Sequence, residues 1–484
     1  MNKFLNSINT MHTENGAITK ASTGSALYNF FGNGAALRGQ DEGRISRTFQ
    51  KAFEEDSLLA LKTLFYIRDI REGQGERQIF KTILAYLLQH KVVNTRELCK
   101  LIPEYGRWDD LLIILESDNN DLMVLKEVII NQLTSDVETK TPSLLAKWLP
   151  SVNTSSKDTV KKARNLCKLL NMSEKDYRTT LADLRKKINI LETHLSNKDY
   201  TKIDYSRIPS NASLKYRKAF YRNDEDRYQT YLSQLEKGET KINTGTLYPY
   251  DIVSKVYKGE YDKTLELAWK NLPEIEGSEN SIVVCDTSAS MRGKPIEVAL
   301  SLTIYMAERL SSSFKDHFIT FSAKPQLQKI VGNTLLEKLN NLIQADWDMN
   351  TNFQAMFDLI LNRAIQEGLK QEDLPEKIYI ISDMEFDEAQ RGGFGRPSYQ
   401  TNFEVIQDKY RNAGYDMPKL VFWNVNSRND QTPVTMKDDY TYLVSGCSPK
   451  ILKYAVGCKA LNGYDLMKDV LNSDRYKPVE NLLK

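Results

Sequence analysis

The sequence predicts an α-helical amino-terminal region over about residues 1–275, followed by a doubly wound α/β domain over 279–484. Three observations carry this expectation. From about 46 to 150, apolar residues recur at three- and four-residue spacing, with Gly or Pro breaks. After about 280, apolar runs of strand length alternate with helical patterns. Between the two regions, Leu272-Pro-Glu-Ile-Glu-Gly-Ser-Glu279 joins Pro, Gly and Ser to charge, as a linker does.

Residues 1 to about 40 are rich in Gly, Asn and Thr. Thr13-Glu-Asn-Gly16 is a turn signal, and 26–31 reads as one short helix. Phe49, Phe53, Leu59, Leu61, Leu64 and Phe65 form apolar clusters, and a second helix carries Ile79, Phe80, Ile83, Leu84, Leu87 and Leu88. A break at Ile102-Pro-Glu-Tyr-Gly-Arg-Trp-Asp-Asp-Leu-Leu112 starts another helix. Helix-break-helix units of roughly 30 to 45 residues predict an α-solenoid of stacked helices. Gly73-Gln-Gly-Glu76 lacks the Lys and the preceding strand of a phosphate loop, so it reads as a turn between helices.

The stretch 155–222 changes character, with 17 Lys and Arg against 7 Asp and Glu, a net of +10 in a chain of net +2. The candidate nucleic-acid contacts are Lys157, Lys161, Lys162, Arg164, Lys168, Arg178, Arg185, Lys186, Lys187, Lys215, Arg217, Lys218 and Arg222. On one helix Leu181, Leu184, Ile188, Leu191 and Leu195 share a face, with Lys186 opposite and Arg178, Arg185 and Lys187 on the flanks. Tyr177, Tyr200, Tyr205, Tyr216 and Tyr221 are interleaved with the charge. Basic residues with aromatics make a nucleic-acid footprint, and the alternative is the solvated face of ordinary helices.

Within the α/β domain, strands are expected at about 281–286, 316–321, 377–382, 418–425 and 441–445. Helices are expected at about 295–312, 335–343, 352–367, 401–413 and 448–456. The first strand ends in Cys-Asp286-Thr-Ser288-Ala-Ser290, and Pro295 then suits a first helical turn. Asp286, Ser288 and Ser290 therefore sit on a strand-to-helix loop at a carboxyl strand end, where open α/β sheets bind ligands. One carboxylate and two hydroxyls are hard oxygen donors that suit a magnesium-like ion. Thr351, ahead of a helical run, and Asp383, at the end of 378–382, are placed similarly. The stretch from Phe386 to Arg396 reads as a flexible insertion beside the presumed metal, with Arg391-Gly-Gly393 a single RGG box. Asp383, Glu385, Asp387 and Glu388 are dense carboxylates without the pairing of an acid/base site, so no enzyme is expected.

The composition, 41% hydrophobic and 27% charged, is that of a soluble globular chain without an apolar run of membrane-spanning length. The start lacks the apolar core of a signal peptide. Five scattered cysteines without a CxxC pair give neither a disulfide framework nor a zinc site, and a cytoplasmic location is expected.

The motif Asp286-x-Ser288-x-Ser290 with a later Thr351 and Asp383 resembles the von Willebrand factor A domain and its metal-ion-dependent adhesion site. The resemblance implies Asp286, Ser288, Ser290, Thr351 and Asp383 as ligands to Mg²⁺ or Mn²⁺, with a protein partner reached through the metal. A helical region ahead of such a domain resembles the Ro (TROVE) architecture. A related family of phage, bacterial and plant proteins is similar over nearly the whole chain. That likeness is carried by Arg68-Asp-Ile-Arg-Glu-Gly-Gln-Gly-Glu-Arg77, Tyr105-Gly-Arg-Trp-Asp-Asp-Leu111, Leu145-Ala-Lys-Trp-Leu-Pro150, Tyr177-Arg-Thr-Thr-Leu181, Ile208-Pro-Ser210 and Leu420-Val-Phe-Trp-Asn-Val-Asn426. The Ro resemblance implies HEAT-like helical repeats in the amino-terminal region and binding of small structured non-coding RNA on its basic surface. A metal-dependent protein adaptor without RNA is the alternative.

Overall fold

The computed structural model describes residues 9–322, 324–345, 352–386 and 402–483. They divide into two compact units that interleave along the chain. The first comprises residues up to Thr63, Glu72–Gln74 and Thr244–Ser473; the second comprises Leu64–Arg71, Gly75–Asn243 and the residues from Asp474 on. The boundary expected near 275–279 coincides with no change of unit. Helices Pro249–Tyr257 and Lys263–Lys270 bury Ile252, Val253, Val256, Leu265 and Trp269. Trp269 Nε1 donates to Glu308 Oε2 at 2.9 Å, and the Tyr305 hydroxyl donates to the Pro273 carbonyl at 2.6 Å, so this stretch belongs with helix Lys294–Arg309.

The first unit is built on a six-stranded sheet. Its strands are β3 (Ser281–Asp286), β4 (His317–Phe321), β5 (Leu327–Lys329), β6 (Lys377–Ser382), β7 (Lys419–Asn424) and β8 (Thr441–Ser445), in the order β5-β4-β3-β6-β7-β8. All pairs are parallel except β4 with β5. β3 and β6 are buried along their whole length, as continuous apolar runs require in a covered parallel sheet. Helices Lys294–Arg309, Leu335–Ile343, Phe353–Glu367 and Asn402–Ala413 fall where they were expected. The chain leaves β3 toward β4 on one side and returns to β6 on the other. The carboxyl ends of β3 and β6 therefore form a topological switch point.

A short hairpin, β1 (Thr10–His12) and β2 (Ile18–Lys20), interrupts the all-helical expectation for the amino-terminal region. Its turn reverses at Gly16, whose φ of 87° suits glycine, and Lys20 pairs with Thr432 across a β-bridge. Helix Ala26–Gly34, apolar on nearly every side, is buried beside β8, where the Leu443 N–H donates to the Tyr28 hydroxyl at 2.8 Å. Gly463 opens helix Gly463–Leu471 directly over that ring, and a Cβ there would overlap the Tyr28 hydroxyl. Gly463→Ala is expected to cost about 1–3 kcal/mol by overpacking. Urea unfolding followed by circular dichroism checks this.

The second unit contains no strand among its described residues. Its helices are delimited by polar caps. Ser156 Oγ accepts from the Thr159 N–H at 3.3 Å, and Ser173 Oγ from the Asp176 N–H at 3.0 Å. Asn171 and Asn189 end helices Lys157–Leu170 and Glu174–Ile188 in the left-handed conformation. The single helix expected to carry Leu181 through Leu195 therefore stops at Ile188, and Leu191 opens a separate short helix, Leu191–Ser196.

An ion-pair network joins segments distant in sequence. Arg68, buried, donates from Nε and Nη2 to Asp110 Oδ2 at 2.9 and 2.6 Å. Arg77 Nε donates to Asp110 Oδ1 at 2.8 Å, and the Arg107 N–H donates to Asp110 Oδ2 at 3.2 Å. Gly106 lets these groups meet, because a Cβ there would stand 2.7 Å from Asp110 Oδ2 and 2.8 Å from Arg68 Nε. Residues 474–483 return to the same unit. Arg475 Nε and Nη2 donate to the two Asp69 carboxylate oxygens at 2.7 and 3.0 Å, and Tyr476 stacks on Tyr105 with centroids 5.8 Å apart.

Candidate functional site

The switch point collects the motif residues that the sequence singles out. Asp286, wholly buried, ends β3, and Asp383, 2% exposed, follows β6. The Ser288 N–H donates to Asp286 Oδ1 at 2.8 Å, and Ser382 Oγ donates to Asp286 Oδ2 at 2.6 Å. The hydroxyls of Ser288 and Ser290 lie 2.9 Å apart. The Asp383 carboxyl is pushed up to about 7, first by burial and then by the charge of Asp286. The Ser290 hydroxyl, the Arg428 guanidinium and the Glu385 N–H act in the opposite direction. Met384, between Asp383 and Glu385, takes a φ of 67°, a strained conformation that favours glycine. Four of the five expected metal ligands are thus brought together at the switch point. Thr351, and the insertion from Asp387 to Thr401, lie outside the described residues.

Two hard carboxylates and two hydroxyls on one dry sheet edge fit a small divalent cation. A cation from the chain itself already meets them: Arg428 Nη2 stands 3.2 Å from Asp383 Oδ2, and its Nη1 stands 2.9 Å from Glu14 Oε2. Arg44 holds the Arg428 loop by donating from Nη1 to the carbonyls of Ser427 and Arg428 at 2.8 and 2.7 Å. Glu385, read from sequence as one of several dense carboxylates, is buried and latches the hairpin turn. Its Oε2 accepts from the Glu14 N–H at 2.9 Å, and its Oε1 from Asn429 Nδ2 at 2.9 Å. Glu14, Arg428 and Asn429 were not singled out in sequence. Arg428 follows β7 at the same carboxyl edge, so the strand-end rule applied to every strand would have found it.

The basic stretch lies wholly in the second unit. Lys157, Lys161, Lys162, Arg164, Lys168, Arg178, Lys186, Lys215, Lys218 and Arg222 are exposed as expected. Arg164 pairs with Glu174 at 3.0 Å, Lys186 with Asp183 at 3.8 Å, and Lys215 stands over the Tyr216 ring at 4.9 Å. Three of the residues expected to meet nucleic acid are held by the chain's own acceptors, Arg217 buried, Arg185 half-buried and Lys187 exposed. Arg217 is 2% exposed and donates to the Leu214 carbonyl at 2.8 Å. Arg185 donates to the carbonyls of Ala146 and Leu149 and to Ser151 Oγ, each at 2.9 Å. Lys187 caps helix Asn119–Glu138, reaching the Val137 and Thr139 carbonyls at 2.5 and 3.0 Å. For Arg185 and Lys187 the acceptors are carbonyls at helix ends and turns, which lack intrahelical partners. Tyr177 and Tyr205 are also buried, with the Tyr177 hydroxyl donating to the Pro150 carbonyl at 2.9 Å, so they are core residues and not stacking platforms.

Among the described residues, no helix is long and apolar enough to cross a membrane. Two family models match the chain. One, described as "Domain of unknown function (DUF7788)", spans residues 280–477 and so covers the six-stranded sheet. The other, "Domain of unknown function (DUF2828)", spans residues 13–141 and 136–286. A curated relative, "Uncharacterized protein L728" of Acanthamoeba polyphaga mimivirus, is 31% identical over 514 aligned residues, covering 97% of this chain and 89% of the relative. Among solved structures, the Ro (RSR) protein of Deinococcus radiodurans aligns at a TM-score of 0.41 and 13% identity, covering 94% of this chain and 100% of that one. With DUF2828 matched over more than half its length, and with a relative of this identity along nearly all of it, the chain belongs to the DUF2828 family.

Proposed function

We propose that this is a Ro-like RNA-binding protein whose second unit, a HEAT-like helical scaffold, binds small structured RNA on its exposed basic face. The observation that carries the reading is the net +10 of residues 155–222, most of whose cations remain on the surface. Phosphate neutralisation by such residues releases counterions and supplies sequence-independent affinity. In this reading the first unit is a von Willebrand A-like domain in which Asp286, Ser288, Ser290 and Asp383, with Thr351, hold Mg²⁺ or Mn²⁺. The ion, when bound, supplies an open electrophilic position for a partner's carboxylate or a water. The chain's own residues position it: Ser382 and the Ser288 N–H fix the Asp286 carboxylate, and Arg428 balances Asp383. The protein binds and does not catalyse. Its five cysteines are all free thiols, which suits a reducing cytoplasm.

The test replaces Lys161, Lys168, Arg178 and Arg222 by Glu. All four are exposed, and the variant leaves the structural Arg185, Lys187 and Arg217 in place. Affinity for cellular RNA at 0.15 M salt is expected to fall on the order of a hundredfold, with the salt slope reduced by up to about 0.7 for each phosphate no longer neutralised. Asp286→Ala should leave RNA binding unchanged. RNA binding by the Glu variant equal to wild type, or none by wild type at low salt, overturns the reading. A metal-dependent protein adaptor, resting on Asp286 and Asp383, then becomes the better one.

A further inference from the structure

We propose that the half-buried cluster of Arg77, Lys81, Arg107 and Lys147 beside Trp148 is a phosphodiester-binding site for a single strand of nucleic acid. The inference rests on the reading that the second unit binds RNA, and it goes beyond the basic stretch, since none of these residues lies within 155–222. Three separate segments supply them: Arg77 and Lys81 at the start of helix Gln78–His90, Arg107 ahead of the turn at Trp108, and Lys147 with Trp148 in Leu145–Trp148.

The buried pair of Arg68 with Asp110 explains itself as structure, but its neighbours do not. Counting Arg68, Arg77, Lys81, Arg107 and Lys147 against Asp109, Asp110 and Glu192, the cluster carries two surplus positive charges. These four cations are only partly hydrated, with 37, 35, 31 and 19% of the Arg77, Lys81, Arg107 and Lys147 side chains exposed. Packing like charges into such a place is unfavourable, and an anion relieves it.

The guanidinium groups are also aimed. Arg107 donates from Nε and Nη2 to Asp109 at 3.1 Å each, while its plane lies 4.2 Å over the Trp148 ring. Arg77 is held by Asp109 and Asp110 through Nη2 and Nε. Among the described residues, Nη1 of Arg77 and Nη1 of Arg107 donate to no protein acceptor, so each fork is fixed at one edge and open at the other. A fixed fork loses little freedom on binding a phosphate. Burial holds the Lys81 ammonium below its ordinary value, Arg77 adds to this, and the charge of Lys162 also reaches it. Lys162 belongs to the exposed basic helix Lys157–Leu170, so the cluster continues the RNA face inward. That continuity, with an indole beside the cations, favours a nucleic-acid strand over an acidic peptide.

The experiment is fluorescence anisotropy of the full chain with a labelled twelve-nucleotide oligouridine, between 0.05 and 0.3 M KCl. Lys81→Gln combined with Lys147→Gln leaves Asp110 paired to Arg68 and Arg77, so folding is retained, as matching thermal melts verify. This variant should bind roughly tenfold more weakly at 0.15 M salt, with a salt slope smaller by about 1.4. Arg107→Lys, which keeps the charge but loses the fork, should also weaken binding. Wild-type binding that both variants reproduce overturns this inference and leaves the RNA reading standing. No oligouridine or cellular RNA binding by wild type at low salt overturns both. A polyglutamate peptide that binds wild type as tightly as the RNA, and is weakened by the same variants, overturns it in favour of an acidic protein partner.

Discussion

Asp110→Ala is expected to destabilise the second unit by about 3–5 kcal/mol, the usual cost of stranding a buried charge. Arg68 is 2% exposed and directs both Nε and Nη2 to Asp110, while Arg77 and the Arg107 N–H use the same carboxylate. Removing that carboxylate leaves a buried guanidinium without its counter-charge. Asp110→Asn keeps an acceptor and should lose less. Glu127→Ala, which breaks an exposed pair with Arg96, should leave unfolding unchanged. Burial raises the Asp110 carboxyl, but Arg68 and Arg77 outweigh it and hold the group below its ordinary value. A carboxylate depressed in the folded state stabilises above its unfolded pKa, and that stability is lost as pH falls through the folded value. Wild type should therefore weaken below about pH 4, and Asp110→Asn should lose that part of its acid sensitivity. Denaturant unfolding across pH measures both, and an Asp110→Ala variant as stable as wild type would refute the keystone role.

Metal binding at the switch point is expected to be abolished by Asp286→Ala, with affinity for Mg²⁺ falling more than about a hundredfold. Calorimetric titration gives the affinity directly. The pH dependence follows from Asp383, raised to about 7 chiefly by burial and by Asp286. A carboxyl raised in the folded state contributes stability that is complete below its unfolded pKa and is lost as pH climbs through the folded value. Without metal, the protein should thus lose stability between about pH 4 and 7. Mg²⁺ should bind more tightly as pH rises through 7 and restore the lost stability. Arg428→Ala removes the resident cation from Asp383 and should tighten Mg²⁺ binding. Equal affinity in wild type and Asp286→Ala would end the metal assignment.

What the sequence disclosed was whatever is written locally. β3 and β6 are continuous apolar runs ending in Asp286 and Ser382, and both were placed at their observed limits. β5 escaped because Leu327–Lys329 is three residues long at an edge, with no buried run to mark it. Helix Gly463–Leu471 also went unread. The burial of Arg185 and Arg217 was illegible for another reason. A basic residue inside a charged stretch looks solvated until the fold shows which carbonyls it meets. The same holds for Arg428 and Glu14, 414 positions apart and paired only once the hairpin has docked. Interleaved units leave no compositional mark, because the pairings that define them have no local periodicity.

The return of residues 474–483 to the second unit has a consequence for synthesis on the ribosome. Asp69 and Arg475 are separated by 406 positions, so the partner that neutralises Asp69 emerges only after the whole sheet unit has been translated. Until then the nascent helical unit holds an Asp69 carboxylate without this counter-charge and an unstacked Tyr105. Its final closure joins residues of high sequence separation, which is slow. A chain truncated after Ser473 would keep every strand of the sheet but lack the Arg475 latch of the helical unit, leaving that unit exposed to chaperones and proteases.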